Sequence, residues 1–240
     1  MNNSRRSFLY KAGLLAGAFS SDSLFNQVHA ENLRAAAAKT SADPMTAAAD
    51  EDYWSIIQQT YTVNPNIINF NNGGVSPSPK VVQDAVERYN KLSNEAPSYY
   101  MWRILDQGRE PLREKLADLA GCDPNEIAIN RNASEALNTV IYGLDLAKGD
   151  EVIGTKQDYP NMIQAWRQRE MREGIKYTQL NFEFPIEDDD TIVKAFEKAI
   201  TPRTKLLHIT HVINWVGQIM PVQKLARMAR AKGIEVLVDG

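Results

Sequence analysis

From about residue 106 onward, short β-rich segments alternate with longer segments whose apolar residues recur at helical spacing. The β-rich segments predict strands at Glu126–Asn130, Glu151–Thr155, Lys176–Phe182, Lys205–Thr210 and Glu235–Asp239. The segments between them predict helices at Ser134–Leu144, Pro160–Glu173, Asp189–Ile200 and Pro221–Lys232. This alternation predicts an α/β fold of three layers, in which a mostly parallel sheet is covered by helices on both faces.

The pattern before residue 106 is less regular. It predicts a helix from Glu51 to Tyr61, a short strand from Ile67 that runs into an Asn/Gly turn, and a helix that opens at Ser78. Residues 94–104 are rich in aromatic side chains and show no period, so we expect a loop there. A helix carrying Leu112, Leu116 and Leu119 on one face, and ending at Gly121, leads into the α/β region.

Composition excludes several classes of protein. The chain has 240 residues, with 27 Lys and Arg against 30 Asp and Glu, and this acidic balance argues against a nucleic-acid partner. A lone cysteine, Cys122, excludes a disulfide framework and a cysteine-rich zinc site. His208 and His211 fall on opposite faces of a strand, so no metal site is predicted. No apolar run is long enough to predict a membrane span.

The first thirty residues have the features of an export signal. A basic segment with Arg5 and Arg6 precedes a short apolar run, and Val28-His29-Ala30 is a small-x-small cleavage site. The paired arginines followed by Phe8 favour a twin-arginine signal, cleaved after about Ala30, over a Sec signal or a frayed basic terminus. We therefore expect a periplasmic or exported protein. Residues 31–50 are rich in alanine and are interpreted as a linker.

Polar residues follow the predicted strands, where ligands bind in open α/β sheets. Ala133 and Ser134 open a helix, so their amides could hold an anion, although this motif taken alone favours a simple helix cap at Asn132 or Ser134. Tyr159 precedes another helix and could lie against a planar ligand or pack on its neighbours.

The last two strands add an amide and a carboxylate. Asn214 stands after the fourth strand beside a glycine turn, and Asp239 ends the fifth strand. A buried aspartate needs a partner, and a metal or a protonated ring nitrogen would each serve. Neither G-x-G-x-x-G nor G-x-x-x-x-G-K-[ST] occurs in the sequence, and their absence disfavours a domain that binds NAD or a nucleotide sugar.

Together these residues resemble the class V aminotransferase group of fold-type I pyridoxal-phosphate enzymes, and more closely its isopenicillin-N-epimerase-like branch, over residues 67–240. The resemblance implies that Ala133 and Ser134 bind the phosphate of pyridoxal 5'-phosphate and that Tyr159 stacks on its ring. It also implies that Asn214 meets the 3-oxygen and that Asp239 pairs with the pyridinium nitrogen. A protonated ring is the electron sink for chemistry at the α-carbon of an amino-acid substrate.

The resemblance also implies a domain organisation. Residues 51–105 form an N-terminal arm in which Asn72 and Gly73 belong to a substrate-side loop, and residues 106–240 form a cofactor-binding large domain that is incomplete at its C-terminus. In the family, the Schiff-base lysine follows the Val-Asp-Gly segment, and no residue of this chain matches it. We therefore expect a fragment that is inactive alone and whose sheet has an unpaired edge. A homodimer is implied for the full-length protein. A cysteine desulfurase or lyase of the same family, and a truncated copy that only binds, remain alternatives.

Overall fold

The computed structural model describes residues 44–240. Contacts divide the chain into two units, the first ending at Pro111 and the second running from Leu112 to Gly240. The predicted signal at 1–30 lies outside the described residues, as does most of the predicted linker at 31–50. Within the described part of the chain, no helix is long and apolar enough to cross a membrane.

The first unit is helical. Its elements are α1 (Pro44–Ala48), α2 (Glu51–Gln59), α3 (Lys80–Glu95), short helical turns at Pro97–Tyr99, Tyr100–Leu105 and Asp106–Gly108, and the start of α4 (Arg109–Ala120). Asp50 caps α2 by accepting hydrogen bonds from the amides of Asp52 and Tyr53.

Two predictions for this unit were wrong. Residues 94–104, expected to be a loop, are largely helical, and the exposed side chains of Tyr99 and Trp102 give them no buried apolar stripe to mark a helix. The strand expected from Ile67 is absent. There the side chain of Asn69 accepts from the amide of Asn71 and donates to Asn72 and to the carbonyl of Val75, and such local side-chain bonds compete with strand pairing.

The second unit contains the sheet. Its elements, after the end of α4, are α5 (Ala133–Gly143), β1 (Glu151–Thr155), α6 (Pro160–Glu173), β2 (Lys176–Leu180), α7 (Asp189–Ala199), β3 (Thr204–Thr210), α8 (Val222–Ala231) and β4 (Glu235–Asp239). These bounds agree with the prediction to within two residues at each end. Arg169 of α6, which is buried, donates to the carbonyls of Ile141 and Leu144 and so caps the end of α5.

The strand predicted at Glu126–Asn130 does not form. Asp123 and Glu126 instead build a capping box around a 3₁₀ turn at Pro124–Glu126. The guanidinium of Arg113 then donates to the carbonyls of Pro124 and Ile127. These bonds use backbone acceptors that a strand would have offered to a neighbour.

All four strands are parallel, in the order β2-β1-β3-β4. On one face, α5 and α6 pack over Val152, Tyr177 and Leu206, with the fully buried Trp166 at the centre. On the other face, α7 and α8 pack over Ile153, Leu207 and Ile209, with Phe196 and Leu225 fully buried. The three-layer α/β fold predicted from the sequence is therefore confirmed.

Candidate functional site

The strand order places a crevice between the ends of β1 and β3. From β1 the chain crosses to β2 on one side, and from β2 it returns past β1 to β3 on the other side. At such a switch point the loops after the two strands diverge, and the carboxyl ends of the strands lie open between them. Thr155 ends β1, Thr210 ends β3 and Asp239 ends β4, so all three residues lie at this edge of the sheet.

A buried carboxylate joins the ends of β1 and β3. Asp158, in the loop after β1, is only 3% exposed. Its Oδ2 accepts from the amide of Thr155 at 2.6 Å, and its Oδ1 accepts from the hydroxyls of Thr155 at 2.8 Å and Thr210 at 3.0 Å. Three donors to one carboxylate fix the β1 loop against β3, and Tyr159, the next residue, is fixed with it.

Gly154 provides the space that this carboxylate occupies. A Cβ at residue 154 would lie 2.5 Å from the hydroxyl oxygen of Tyr177 and 2.6 Å from Oδ2 of Asp158. Burial and the charge of Asp158 raise the pKa of Tyr177, so its hydroxyl stays protonated. The close packing of a carboxylate and a phenol over the strand therefore requires glycine at this position.

Asp239 lies next to Thr210, its register partner across β3 and β4. It is half-buried, and its carboxylate accepts no hydrogen bond from a residue that the structure describes. Burial raises the pKa of Asp239, the histidine His208 lowers it and the carboxylate of Asp158 raises it further. A half-buried carboxylate without a donor favours a cationic partner.

His208 is fully buried on the same face of the sheet as Asp239. Its Nδ1 accepts from the indole N–H of Trp166 at 3.2 Å, and its Nε2 has no hydrogen-bond partner. Burial lowers the pKa of His208, although the carboxylates of Asp158 and Asp239 oppose this shift. His211, by contrast, is exposed and lies just after the end of β3.

Tyr159 and Asn214 border the same crevice. Tyr159 precedes the first turn of α6, with 46% of its surface exposed. Asn214 is exposed in the turn after β3, which closes through the hydrogen bond from the amide of Gly217 to the carbonyl of Ile213. The indole of Trp215 donates to the carbonyl of Gln157 at 3.3 Å, which ties this turn to the β1 loop. Tyr159, Asn214 and Asp239 thus lie at or just after the carboxyl ends of β1, β3 and β4.

Ala133 and Ser134 lie at the N-terminus of α5, which packs on the sheet face that carries Asp239. Asn132 caps the helix by accepting from the amide of Glu135 at 2.9 Å, so the capping alternative holds for Asn132. Among the described residues, the amides of Ala133 and Ser134 have no hydrogen-bond acceptor. These two amides, at the positive end of the helix dipole, remain available to an anion.

Asn72 and Gly73 belong to the first unit. Both are exposed in a turn, where Oδ1 of Asn72 accepts from the side chain of Asn69 at 2.7 Å. Their predicted role on the substrate side therefore stays a prediction.

Sequence reasoning missed the polar cluster beneath the site. Thr155, Asp158 and Thr210 were not singled out, and Gly154 appeared only as part of a strand. A signal was present, since Thr-x-x-Asp directly after a buried strand is a spacing at which a side chain can bond back to the backbone. The partner on β3 could not be read, because it lies 52 residues further along the chain.

Comparison with known proteins points in one direction. A family model described as Aminotransferase class-V matches residues 67–240. Isopenicillin N epimerase of Amycolatopsis lactamdurans is 28% identical over 190 residues, which cover 78% of this chain and 48% of that protein. A probable cysteine desulfurase of Synechocystis is 26% identical over 205 residues, covering 82% and 47%.

A solved structure gives the same picture. The protein C-DES, in a variant with glycine covalently linked to the PLP cofactor, superimposes with a TM-score of 0.67 at 26% identity and covers 76% of this chain and 49% of its own. The chain described above thus spans about half the length of the relatives it matches.

Proposed function

Because the chain belongs to the aminotransferase class V family, we propose that it is the N-terminal portion of a pyridoxal-phosphate-dependent enzyme acting at the α-carbon of amino acids, in the manner of isopenicillin N epimerase. The observation that carries the proposal is the carboxylate of Asp239, half-buried and without a hydrogen-bond donor among the described residues, at the switch point of a parallel sheet. The cofactor is pyridoxal phosphate, which the structural neighbour C-DES also carries.

The residues present fit this cofactor. The two available amides of Ala133 and Ser134 would hold its phosphate, and the exposed ring of Tyr159 would lie against its pyridine ring. Asn214 would meet its 3-oxygen and Asp239 its ring nitrogen. When bound, the cofactor supplies an electron sink for a carbanion at the α-carbon of the substrate.

The electrostatics of Asp239 select the protonated form of the ring. Burial and the neighbouring charge of Asp158 raise the pKa of Asp239, although His208 opposes this shift, so the ionised carboxylate is less stable here than in water. A cation beside this carboxylate restores the ionised form through a charge-assisted hydrogen bond. Asp239 therefore binds a pyridinium nitrogen better than a neutral pyridine, and it holds the proton on the ring.

The test uses the full-length enzyme, because the family's Schiff-base lysine matches no residue of this chain. The enzyme is loaded with pyridoxal phosphate and incubated with a panel of L-amino acids in deuterated water. We expect saturable cofactor binding and deuterium at the α-carbon of at least one amino acid, measured by mass spectrometry. Asp239→Ala should abolish the deuterium exchange. The same variant should weaken cofactor binding only slightly, because the contacts to the phosphate remain. Asp145→Ala, which removes an exposed carboxylate outside the site, is the matched control and should exchange like the wild type.

Three outcomes separate the alternatives. Failure of the wild type to bind pyridoxal phosphate, or full exchange by Asp239→Ala, would contradict the proposal. Cofactor binding without exchange on any amino acid, in a protein whose coding sequence stops after residue 240, would favour a truncated copy that only binds. Release of sulfide from cysteine would favour a cysteine desulfurase or lyase, the second candidate, which is supported by the similarity to the Synechocystis protein and to C-DES, described as a cystine C–S lyase.

Export and dimerisation are further parts of the proposal. Twin-arginine export rests on Arg5 and Arg6 before the apolar run. Replacing both arginines by lysine should leave the protein in the cytoplasm, whereas export of that variant would contradict the proposed export route.

A homodimer of the full-length protein rests on the resemblance alone. Light scattering after size exclusion should give twice the chain mass, and a monomer would refute it.

A further inference from the structure

In the described part of the chain, a few buried side chains near the site have a polar atom without a hydrogen-bond partner. His208 is the most deeply buried of them. It has no exposed surface, and the only hydrogen bond that its side chain makes with described residues is the one that Nδ1 accepts from Trp166. A nitrogen that accepts a hydrogen bond carries no proton, so the neutral ring must carry its proton on Nε2. Burial lowers the pKa of His208, which keeps the ring neutral.

The Nε2–H group that follows from this tautomer is a donor without an acceptor. Leaving a buried donor unpaired is unfavourable, so an acceptor should be found near it. Two carboxylates interact with the ring electrostatically, those of Asp158 and Asp239. Trp166 of α6 and Tyr177 of β2 are the aromatic neighbours on the same face.

Asp158 has little capacity left. Its carboxylate already accepts from the amide and hydroxyl of Thr155 and from the hydroxyl of Thr210. The carboxylate of Asp239 accepts from no described residue. The hydroxyl of Tyr177 is also an unpaired buried donor on this face, but it lies beside Asp158. The carboxylate of Asp239 is therefore left as the acceptor for Nε2 of His208.

The register places these two groups within reach of each other. His208 pairs with Leu237 and Thr210 pairs with Asp239, so all four residues share one face of the sheet. His208 and Asp239 are thus diagonal neighbours, with Cα atoms about 8 Å apart for strands at the usual spacing and rise. That separation can be spanned by an imidazole and a carboxylate that point along the same face.

We propose that His208 is a positioning residue for the cofactor site, fixed by Trp166 as the Nε2–H tautomer and donating that hydrogen toward the carboxylate of Asp239. The donor stabilises the ionised, aligned carboxylate that a pyridinium nitrogen requires. The part of this inference that concerns the cofactor rests on the proposed function. The tautomer and its coupling to Asp239 do not, because both are properties of the protein without cofactor.

The first test reads the tautomer without cofactor. Long-range ¹⁵N–¹H NMR correlation on the full chain labelled at histidine should show, for His208, a protonated Nε2 and an unprotonated Nδ1 at neutral pH. Trp166→Phe removes the indole donor and keeps an aromatic ring, so it should lose this fixed pattern. A wild-type ring protonated on Nδ1, or a doubly protonated ring, would overturn the proposal.

The second test reads the coupling. His208→Gln keeps an N–H near the position of Nε2, whereas His208→Leu removes it at similar volume. We expect the pKa of the Asp239 carboxyl, measured by ¹³C NMR, to be higher in His208→Leu than in the wild type and close to the wild-type value in His208→Gln. Equal pKa values in both variants would overturn the proposal, because a purely structural role would not distinguish them.

Cofactor titration then separates the two proposals. Pyridoxal phosphate should bind about tenfold more weakly to His208→Leu than to His208→Gln, as loss of a hydrogen bond to a charged group predicts. If the wild type does not bind the cofactor at all, the proposed function fails, while the NMR measurements still decide the role of His208. Equal affinity in the two variants, with a wild type that binds, would refute the positioning role.

Discussion

Gly154→Ala is the substitution whose effect the structure defines most sharply. The new methyl group would lie 2.5 Å from the hydroxyl oxygen of Tyr177 and 2.6 Å from Oδ2 of Asp158, where ordinary contacts begin at 3.4 Å. One or both groups must therefore move by about an ångström. Tyr177 packs against the buried Trp166, and Asp158 is held by three hydrogen bonds, so neither can move without loss.

Two terms set the magnitude. Overpacking a well-packed interior costs about 1–3 kcal/mol. Weakening the hydrogen bonds of the Asp158 carboxylate adds about 1 kcal/mol for each bond lost. We expect Gly154→Ala to lower the free energy of unfolding of the second unit by about 2–4 kcal/mol, which corresponds to a fall in Tm of roughly 5–15 °C.

The assay is denaturant unfolding followed by tryptophan fluorescence. Trp166 is fully buried in this unit, so it reports on the core beneath the site. Gly143→Ala is the matched control, since Gly143 ends α5 and a Cβ there would meet nothing within 4 Å. That variant should be unchanged or more stable by up to about 1 kcal/mol. If Gly154→Ala unfolds at the same midpoint as Gly143→Ala, the close packing inferred around Asp158 is wrong.

Three further predictions concern the same unit. Burial lowers the pKa of His208 below the ordinary 6.5, so the ring stays neutral in the folded protein. The free energy of unfolding should therefore fall as the pH falls below about 6.5, by up to about 1.4 kcal/mol per pH unit. His208→Gln should flatten this slope in thermal unfolding, and an unaltered slope would refute the prediction. Thr210→Val keeps the shape and removes one donor to Asp158, so chemical denaturation should show a loss of about 1–2 kcal/mol, and a neutral result would contradict the bond. Asn132→Ala removes the cap of α5 and should cost about 1 kcal/mol, whereas Asn132→Ser should retain most of it; equal stability of the two variants would argue against capping.

The elements of the second unit could be predicted because each carries its own periodic signal. β1 and β4 were predicted at their observed bounds, and α6 was predicted from Pro160, a proline at its first turn, to Glu173, which is followed by a glycine at φ +75°. β1 is buried along its whole length, and strands buried on both faces of a parallel sheet have nearly continuous apolar sequences.

The errors have a different origin. Residues 126–130 have the composition of a strand, but a capping box at Asp123 and a guanidinium from α4 take over their backbone. The contact between Asp158 and Thr210 was missed because the two residues follow separate strands and meet only in the fold. Local pattern carries no information about such contacts, whereas the positions of Tyr159, Asn214 and Asp239 at strand ends could be read directly from the strand predictions.

The hydrogen bond between Thr210 and Asp158 has a consequence for the order in which the protein folds. It joins residues 52 positions apart, and the loop that it closes contains α6, β2, α7 and β3. Closing a loop of that length is favourable only after both crossovers have docked on the sheet. Asp158, which precedes Tyr159, therefore forms its hydrogen bond with Thr210 late in folding. During synthesis, the chain gains its site only when β3 is in place.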